Sequence, residues 1–468
     1  MRLSFHGAVG GVTGSCYLLE TSAAKVLLEC GLVQGGSEEQ QANRAPFPCE
    51  PAELDAVVLS HAHIDHSGRI PQLVKQGFTG SVFAQQATCE LCEIMLHDSA
   101  YLQEKDADTE NRKRARKGLG PVEPLYTVRD AERALKQFQA LAYDEEHEVA
   151  PGIRIRLRDA GHILGSAIIE LWVDDSGVRR KLVFSGDLGQ PGTPVMCDPA
   201  RIAEADLVLL ESTYGDRCHR SRDDTMAEMG EIFATALADG GNILIPAFAV
   251  GRTQELLYVL ARHFDDWGLE HWRICLDSPM AIQATELYAR HAELQDEEAV
   301  ALWRGGGEGL ASRLEFVRTP QQSRALNRVR SGLVIVAGSG MCEGGRIRHH
   351  LKNHVWRETC HVVIIGYQAR GTVGRQLVDG STYVSLWGEA IRVAARVHTV
   401  GGFSAHADQQ GLLDWYRGFK GRPPVWLVHG EDGARAGLAR AIIDATGAEL
   451  RIPEMGEGVD LRRLGTGR

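Results

Sequence analysis

Four potential metal ligands fall within six residues in His61-Ala62-His63-Ile64-Asp65-His66, directly after the apolar run Ala56 to Leu59. An apolar run that ends in such a crowd asks for a strand whose end delivers polar side chains to a rigid edge. His61 and His63 are two apart, so both imidazoles can point to one side of an extended segment. Asp65 and His66 are adjacent and must diverge. Four such ligands do not converge easily on one ion, and the spacing predicts two, with His61 and His63 on one cation and Asp65 and His66 on its neighbour.

Other ligands are then expected at strand ends or tight turns. His162 stands in Ala160-Gly161-His162-Ile163-Leu164-Gly165-Ser166, where flanking glycines let backbone approach a crowded site. Asp187 follows the apolar run Leu182 to Ser185, and His429 follows Val425 to Val428. The expected division is His61, His63, His162 and Asp187 on one metal, with Asp65, His66, Asp187 and His429 on the other. Nitrogen and oxygen donors without thiolate favour zinc over manganese or iron. Two ions about 3.5 to 4 Å apart can hold a bridging hydroxide and clamp the oxygens of an in-line phosphoryl displacement, which suits phosphodiester cleavage.

At 468 residues the chain is long enough for two or three domains. Its first part reads as strands with short turns: Tyr17 to Thr21, Val26 to Glu29, Val57 to Ser60, Ile153 to Leu157, Ala167 to Val173 and Leu182 to Ser185. Between them, Thr88 to Glu104 and Val128 to Leu141 carry helical spacing. From Thr225 the pattern becomes strand and helix in alternation, with strands at Asn242 to Pro246, Ile274 to Leu276, Leu333 to Ala337 and Val362 to Gly366, as in a parallel doubly wound unit inserted into the chain. After about Ile391 the earlier style returns, with strands at Val393 to His398 and Val425 to Val428 and a helix near Ala434 to Thr446.

Several function classes are disfavoured. No apolar run approaches a membrane span, and the start of the chain lacks a secretory pattern, so a cytoplasmic protein without membrane contact is expected. Ten scattered cysteines read as reduced thiols, and the lone pair Cys89 and Cys92 lacks a second CxxC to complete a zinc site. A net charge of -11 argues against coating nucleic acid with the whole surface, yet leaves room for local basic tracks. One is Arg112, Lys113, Arg114, Arg116 and Lys117; another is Arg346, Arg348, His349, His350 and Lys352. The glycines from Gly7 to Gly14 precede a strand rather than a helix, and no Walker A lysine follows Gly366, so neither a dinucleotide fold nor a P-loop is supported.

The histidine cluster, His162, Asp187 and His429 together closely resemble the metallo-β-lactamase fold, a four-layered αββα sandwich with metals at one edge. Leu210-Glu211-Ser212-Thr213-Tyr214-Gly215 resembles motif A of the β-CASP nucleases, Gly402-Phe403-Ser404-Ala405-His406-Ala407-Asp408 motif B, and Val428-His429-Gly430-Glu431 motif C. The inserted segment is similar too, in Pro246 to Glu255, Asp277 to Met280, Gly340 to Arg346 and Gly371 to Arg375. The resemblance implies an α/β chain with residues 1–212 as the first part of the metallo-β-lactamase domain, 213–390 as an inserted β-CASP domain, and 391–468 as the return.

That resemblance also implies a function. The chain is similar to compact bacterial and archaeal relatives of the pre-mRNA 3′-end cleavage endonuclease, with two zinc ions per subunit. The histidine in motif C is the mark of the RNA-acting branch. Asp65, Glu211 and His406 become the catalytic residues: Asp65 orients the attacking hydroxide, and a Glu211–His406 pair helps protonate the leaving oxygen. Single-stranded RNA would thread between the two domains, with Arg252, Arg346, Arg370 and Arg375 as phosphate-gripping candidates, and a homodimer is compatible. The family's first motif has Asp where this chain has Glu29, in Glu29-Cys30-Gly31, so a longer carboxylate must orient the ligating histidine. A hydrolase of a small ester or thioester, a flavin-linked di-iron oxidoreductase and a noncatalytic RNA-processing scaffold are the competing readings. Cleavage within the strand and attack from the 5′ end are both compatible with the resemblance.

Overall fold

The computed structural model describes residues 1–35, 41–369 and 371–464. They form two compact units: Met1–Gly192, Asp198–Cys218 and His406–Arg468 make the first, and Thr193–Cys197 with His219–Ala405 make the second.

The first unit is built on two seven-stranded sheets. One runs in the order Gly458–Asp460, Arg2–Gly7, Cys16–Glu20, Lys25–Leu28, Ala56–Val58, Ser81–Gln85 and Phe138–Leu141. The other runs Leu450–Arg451, Val425–Leu427, Leu207–Leu210, Val178–Phe184, Ala167–Asp175, Ile153–Asp159 and Glu146–Ala150. Each is antiparallel along one half and parallel along the other. Strand alternation explains how they stack. In Ala167–Asp175, Ala167, Ile169, Leu171 and Val173 point into a core shared with Leu3, Phe5, Tyr17, Val26 and Val58 of the other sheet. Ile168, on the opposite face, joins Val208, Leu210 and Leu427 beneath the helices Gln409–Arg417 and Asp432–Thr446, which supply Leu412, Tyr416, Leu438 and Ile442. Helices Ile70–Lys75, Gln86–Arg116 and Val128–Leu135 also bury apolar side chains of the first unit, giving the four layers of an αββα sandwich.

The second unit has a six-stranded, wholly parallel sheet ordered Leu314–Phe316, Arg273–Leu276, Leu333–Ala337, Ile243–Pro246, His361–Ile364 and Arg396–Thr399. Its central strands Ile243–Pro246 and Leu333–Ala337 are buried throughout, as a sheet covered on both faces requires.

Three expectations need correcting. Val128 to Leu141 is not one helix: it stops at Leu135, and Phe138–Leu141 becomes an edge strand beside Ser81–Gln85. The helix expected over Thr88 to Glu104 continues to Arg116, so the basic run from Arg112 lies on its last turns and ends at the capping residue Lys117. Arg396–Thr399 pairs with His361–Ile364 in the second unit, which moves the return to the first unit from residue 391 to His406. Among the described residues, no helix is long and apolar enough to cross a membrane.

The second unit is pinned by one buried carboxylate. Asp277 follows the strand Arg273–Leu276 and takes Arg346 Nη1 and Ser323 Oγ at 2.5 Å each and His350 Nε2 at 2.6 Å. Burial alone would push this carboxyl up, but His350, Ser323 and Arg346 outweigh it and hold it below its ordinary range. The native carboxyl thus titrates below the unfolded value of about 3.9. Its stabilisation is whole above that pH and is lost as pH falls through the lower native value. Asp277→Asn leaves the mostly buried Arg346 cation facing a neutral amide, at a cost on the order of 2–4 kcal/mol. Hydrogen exchange of Arg273–Leu276 in the full chain is expected to accelerate accordingly, both in the variant and in acid.

Candidate metal centre

The sheet geometry brings the chemistry to one edge. Val178–Phe184, Leu207–Leu210 and Val425–Leu427 are parallel neighbours, and shortly after their carboxyl ends come Asp187, Glu211 and His429. The parallel strand Ala56–Val58 of the other sheet delivers His61 and His63 to the same place, with the short helix Ile64–Ser67 presenting Asp65 and His66. His162 lies in the turn before Ala167–Asp175, and Ala167 N–H bonds Ser60 O at 2.8 Å, tying the two sheets together at the site.

Close backbone packing holds these loops. A Cβ at Gly31 would lie 1.7 Å from Asp65 O, so only glycine lets the two segments touch. Gly165, with φ of +75°, also comes close to Thr88 N, which a Cβ would approach to 2.6 Å.

All seven residues expected as ligands converge. His61 Nε2 and His162 Nε2 stand 3.1 and 3.3 Å from His63 Nδ1, and 3.5 and 3.7 Å from Asp187 Oδ2. Four donors bound at about 2.0–2.2 Å around a tetrahedral zinc lie about 3.3–3.6 Å apart, so this group fits one. On the other side of Asp187, His66 Nε2 lies 3.3 Å from its Oδ2 and 3.8 Å from Asp65 Oδ2, while His429 Nε2 lies 3.7 Å from Asp65 Oδ2. His66 Nε2, His429 Nε2 and Asp187 Oδ1 are buried and make no hydrogen bond. Three orphaned polar atoms at one point are costly unless a cation completes them. The donors fit two cations sharing Asp187.

Charge follows from burial. Burial pushes the His61 imidazole well below its ordinary range and takes His63 down to about 4. It acts in the same direction on His66 and His406, but carboxylates outweigh it there: Asp187 and Asp65 hold His66 well above that range, and Glu211 with Asp187 brings His406 up to about 9. His61 and His63 thus offer lone pairs, whereas a cation must displace a proton from His66.

Glu29 occupies the orienting position. Its Oε2 lies 2.5 Å from His66 Nδ1 and accepts Ser60 Oγ at 2.9 Å, and its Oε1 accepts Ser60 N–H at 2.6 Å. His406 Nδ1 stands 3.3 Å from Glu211 Oε1 and 3.8 Å from Asp187 Oδ2. Glu211 is itself fixed by Leu188 N–H at 2.7 Å and Thr213 Oγ at 2.6 Å. Two hydroxyls escaped the sequence reading. Ser60 Oγ also meets His61 Nδ1 at 2.9 Å, and Thr213 Oγ meets His429 Nδ1 at 3.1 Å, so each links a carboxylate to a ligating imidazole. Their signal is only their place, one residue before His61 and two after Glu211.

The arginines are placed differently. Arg346 is spent on Asp277, Val317 O and Arg318 O, and Arg252 donates to Ile365 O and pairs with Glu255. Arg375 forms an exposed pair with Asp379. Arg370 lies outside the described residues.

Comparison with known proteins agrees with this architecture. The model of the metallo-beta-lactamase superfamily matches residues 9–136, that of the Beta-Casp domain 253–377, and that of the Zn-dependent metallo-hydrolase RNA specificity domain 390–453. Ribonuclease TTHA0252 of Thermus thermophilus is 40% identical over 98% of this chain and 100% of its own length. The chain belongs to the β-CASP family of metallo-β-lactamase-fold proteins. The transcription termination factor FttA of Methanosarcina mazei is 30% identical over 96% of this β-CASP chain and 70% of its own. A crystal structure of a protein of unknown function from Enterococcus faecalis superposes with a TM-score of 0.54, covering 98% of this chain and 99% of that one at 12% identity, which speaks to the fold alone.

If Glu29 sets the orientation of His66, Glu29→Gln should weaken metal binding by about 10–100-fold, since partners of ligating histidines carry effects of that size. Competition against a zinc-responsive chelator measures it. Unchanged affinity would remove Glu29 from the site.

Proposed function

We propose that this β-CASP protein is a zinc-dependent ribonuclease that hydrolyses phosphodiester bonds of single-stranded RNA, as an endonuclease, a 5′-exonuclease or both. The observation that carries the reading is a donor set divided about one shared carboxylate, Asp187, with a carboxylate-held imidazole, His406, 3.8 Å from it. Likeness to a protein named a ribonuclease over its full length supports the choice of polymer.

In this reading His61, His63, His162 and Asp187 hold one zinc, and Asp65, His66, Asp187 and His429 the other. Bound there, the pair supplies a water of lowered pKa and neutralises charge on the phosphate oxygens. The chain's own residues do the rest. His63, Asp65 and His406 are the partly open members, the last two with side chains 20% and 22% exposed, whereas His61, His66, His162, Asp187 and His429 are at most 3% exposed. The scissile phosphate therefore meets the site on the face lined by His63, Asp65 and His406. Asp65 accepts a hydrogen bond from the attacking water and fixes its direction. His406 is held at Nδ1 by Glu211 and keeps its proton near neutral pH, ready to pass it from Nε2 to the departing ribose oxygen. Thr213 keeps Glu211 and His429 in register, so acid and ligand stay at a fixed spacing. A homodimer in the cytoplasm completes the reading.

Single-stranded RNA labelled at the 5′ end in one sample and the 3′ end in another, incubated with the zinc-loaded protein with and without a chelator, tests it directly. Cleavage that stops with the chelator is expected, and the sizes of the labelled products separate endo from exo attack. His406→Ala should lower kcat by about 10²- to 10⁴-fold with zinc content unchanged. Loss of zinc in that variant would make His406 a ligand instead, and hydrolysis of small esters without RNA cleavage would overturn the polymer assignment.

A further inference from the structure

The helix Gln86–Arg116 outruns its own core. Its buried positions end at Ala100, yet it continues to Arg116, about 24 Å farther at 1.5 Å per residue. This half is clasped by the returning chain. Asn111 Nδ2 donates to Val122 O at 3.0 Å, and its Oδ1 accepts Val122 N–H at 2.7 Å. Arg114 Nε donates to Gly120 O at 2.6 Å, and Leu119 N–H to Arg114 O at 3.0 Å. The result is a preformed arm on the first unit.

Its charges are segregated. Glu104, Asp106, Asp108 and Glu110, with Lys105 among them, precede Asn111, and five cations within six residues follow: Arg112, Lys113, Arg114, Arg116 and Lys117. Among the described residues, no ion pair joins any of the five to a carboxylate. A helix C-terminus attracts cations, but only over its last turn and by about 0.3–1 kcal/mol each. That accounts for one or two of them, not for five that repel one another. The chain carries a net charge of -11, so a polyanion meets a repulsive surface except at such a place. Among the described residues of the arm, Tyr101 and Leu102 at its base and Leu119 near its tip are the exposed large apolar side chains, too scattered to form one patch for a second protein surface to bury.

The other end of the helix touches the metal loops, where Thr88 Oγ donates to Gly165 O at 2.7 Å. From Thr88 to Lys113 the helix rises about 38 Å. We propose that the arm is a second RNA site, binding the sugar–phosphate backbone of single-stranded substrate far from the bond that is cut. It rests on the ribonuclease reading for the identity of the polyanion. Contacts of this kind are independent of sequence and sensitive to salt.

The test compares the zinc-loaded protein with R112Q/K113Q/R116Q/K117Q, which spares Arg114 because it clasps Gly120, and with the charge-keeping R112K/R116K. Initial cleavage rates are read on 40-nucleotide and 8-nucleotide oligouridylates. The neutralised variant should raise KM at least tenfold on the long RNA, leaving kcat and the short RNA unchanged, and R112K/R116K should match the parent. Anisotropy of the labelled 40-mer should show the slope of log K against log salt reduced by about 2–3, from about 0.7 per lost phosphate contact. If the parent cleaves neither RNA, the ribonuclease reading fails and the anisotropy alone decides the arm. Equal KM and equal slope overturn the proposal. So does a neutralised variant that changes only from dimer to monomer in sedimentation, which makes the arm a self-association surface.

Discussion

The carboxylate of Asp187 sits almost fully buried among His61, His66, His162 and His429, each with a ring nitrogen within 3.7 Å of it. A buried anion is tolerable only if positive charge reaches it from several sides. Against the push of burial, the neighbouring imidazoles of His429, His66, His406 and His61 hold the carboxyl far below its usual range. Bringing those rings in from three separate segments sets the backbone rules of this edge: close contact of Gly31 with Asp65, left-handed turns at Gly161, Gly165 and Gly186, and strand ends of the two sheets tied by Ala167 N–H to Ser60 O. The sandwich core behind the edge makes those rules affordable, because its interlocked aliphatic rows leave the strand ends little freedom.

Most of this edge was legible in the sequence, for a physical reason. Ligand crowding after an apolar run is rare by chance, and glycines beside His162 and Asp187 mark places where backbone must turn sharply. The positioning hydroxyls were not legible, since Ser60 and Thr213 look like any turn residues until a carboxylate and an imidazole are seen on either side of them. Sheet membership was also hidden. Arg396–Thr399 has the local pattern of any short strand, and only its parallel pairing with His361–Ile364 assigns it to the second unit. The helix from Gln86 was cut short because its apolar stripe ends at Ala100, and periodicity carries no signal where nothing packs.

Arginine shows the same limit from the other side. A glycine-rich loop with an arginine reads as a phosphate grip, yet Arg346 and Arg252 turn inward to backbone carbonyls and carboxylates. The run from Arg112 to Lys117 reads as an ordinary solvated helix, yet its cations stand on a clasped arm without carboxylate partners among the described residues. Sequence records that a charge exists; only the fold decides whether it has already been neutralised.

The replacement of the family's Asp by Glu29 is resolved by the backbone. Glu29 adopts φ of +62°, a left-handed conformation that a residue with a long side chain enters at a cost of about 1–2 kcal/mol. With that turn, both of its oxygens are used: Ser60 N–H on one, Ser60 Oγ and His66 Nδ1 on the other. The longer carboxylate is therefore not a loose copy of a shorter one. It spans His66 and the residue immediately before His61, and Ser60 carries the link on to His61 Nδ1. One second carboxylate thus orients a histidine of each donor group, which couples the aim of the two groups through Glu29 as firmly as they are joined through Asp187.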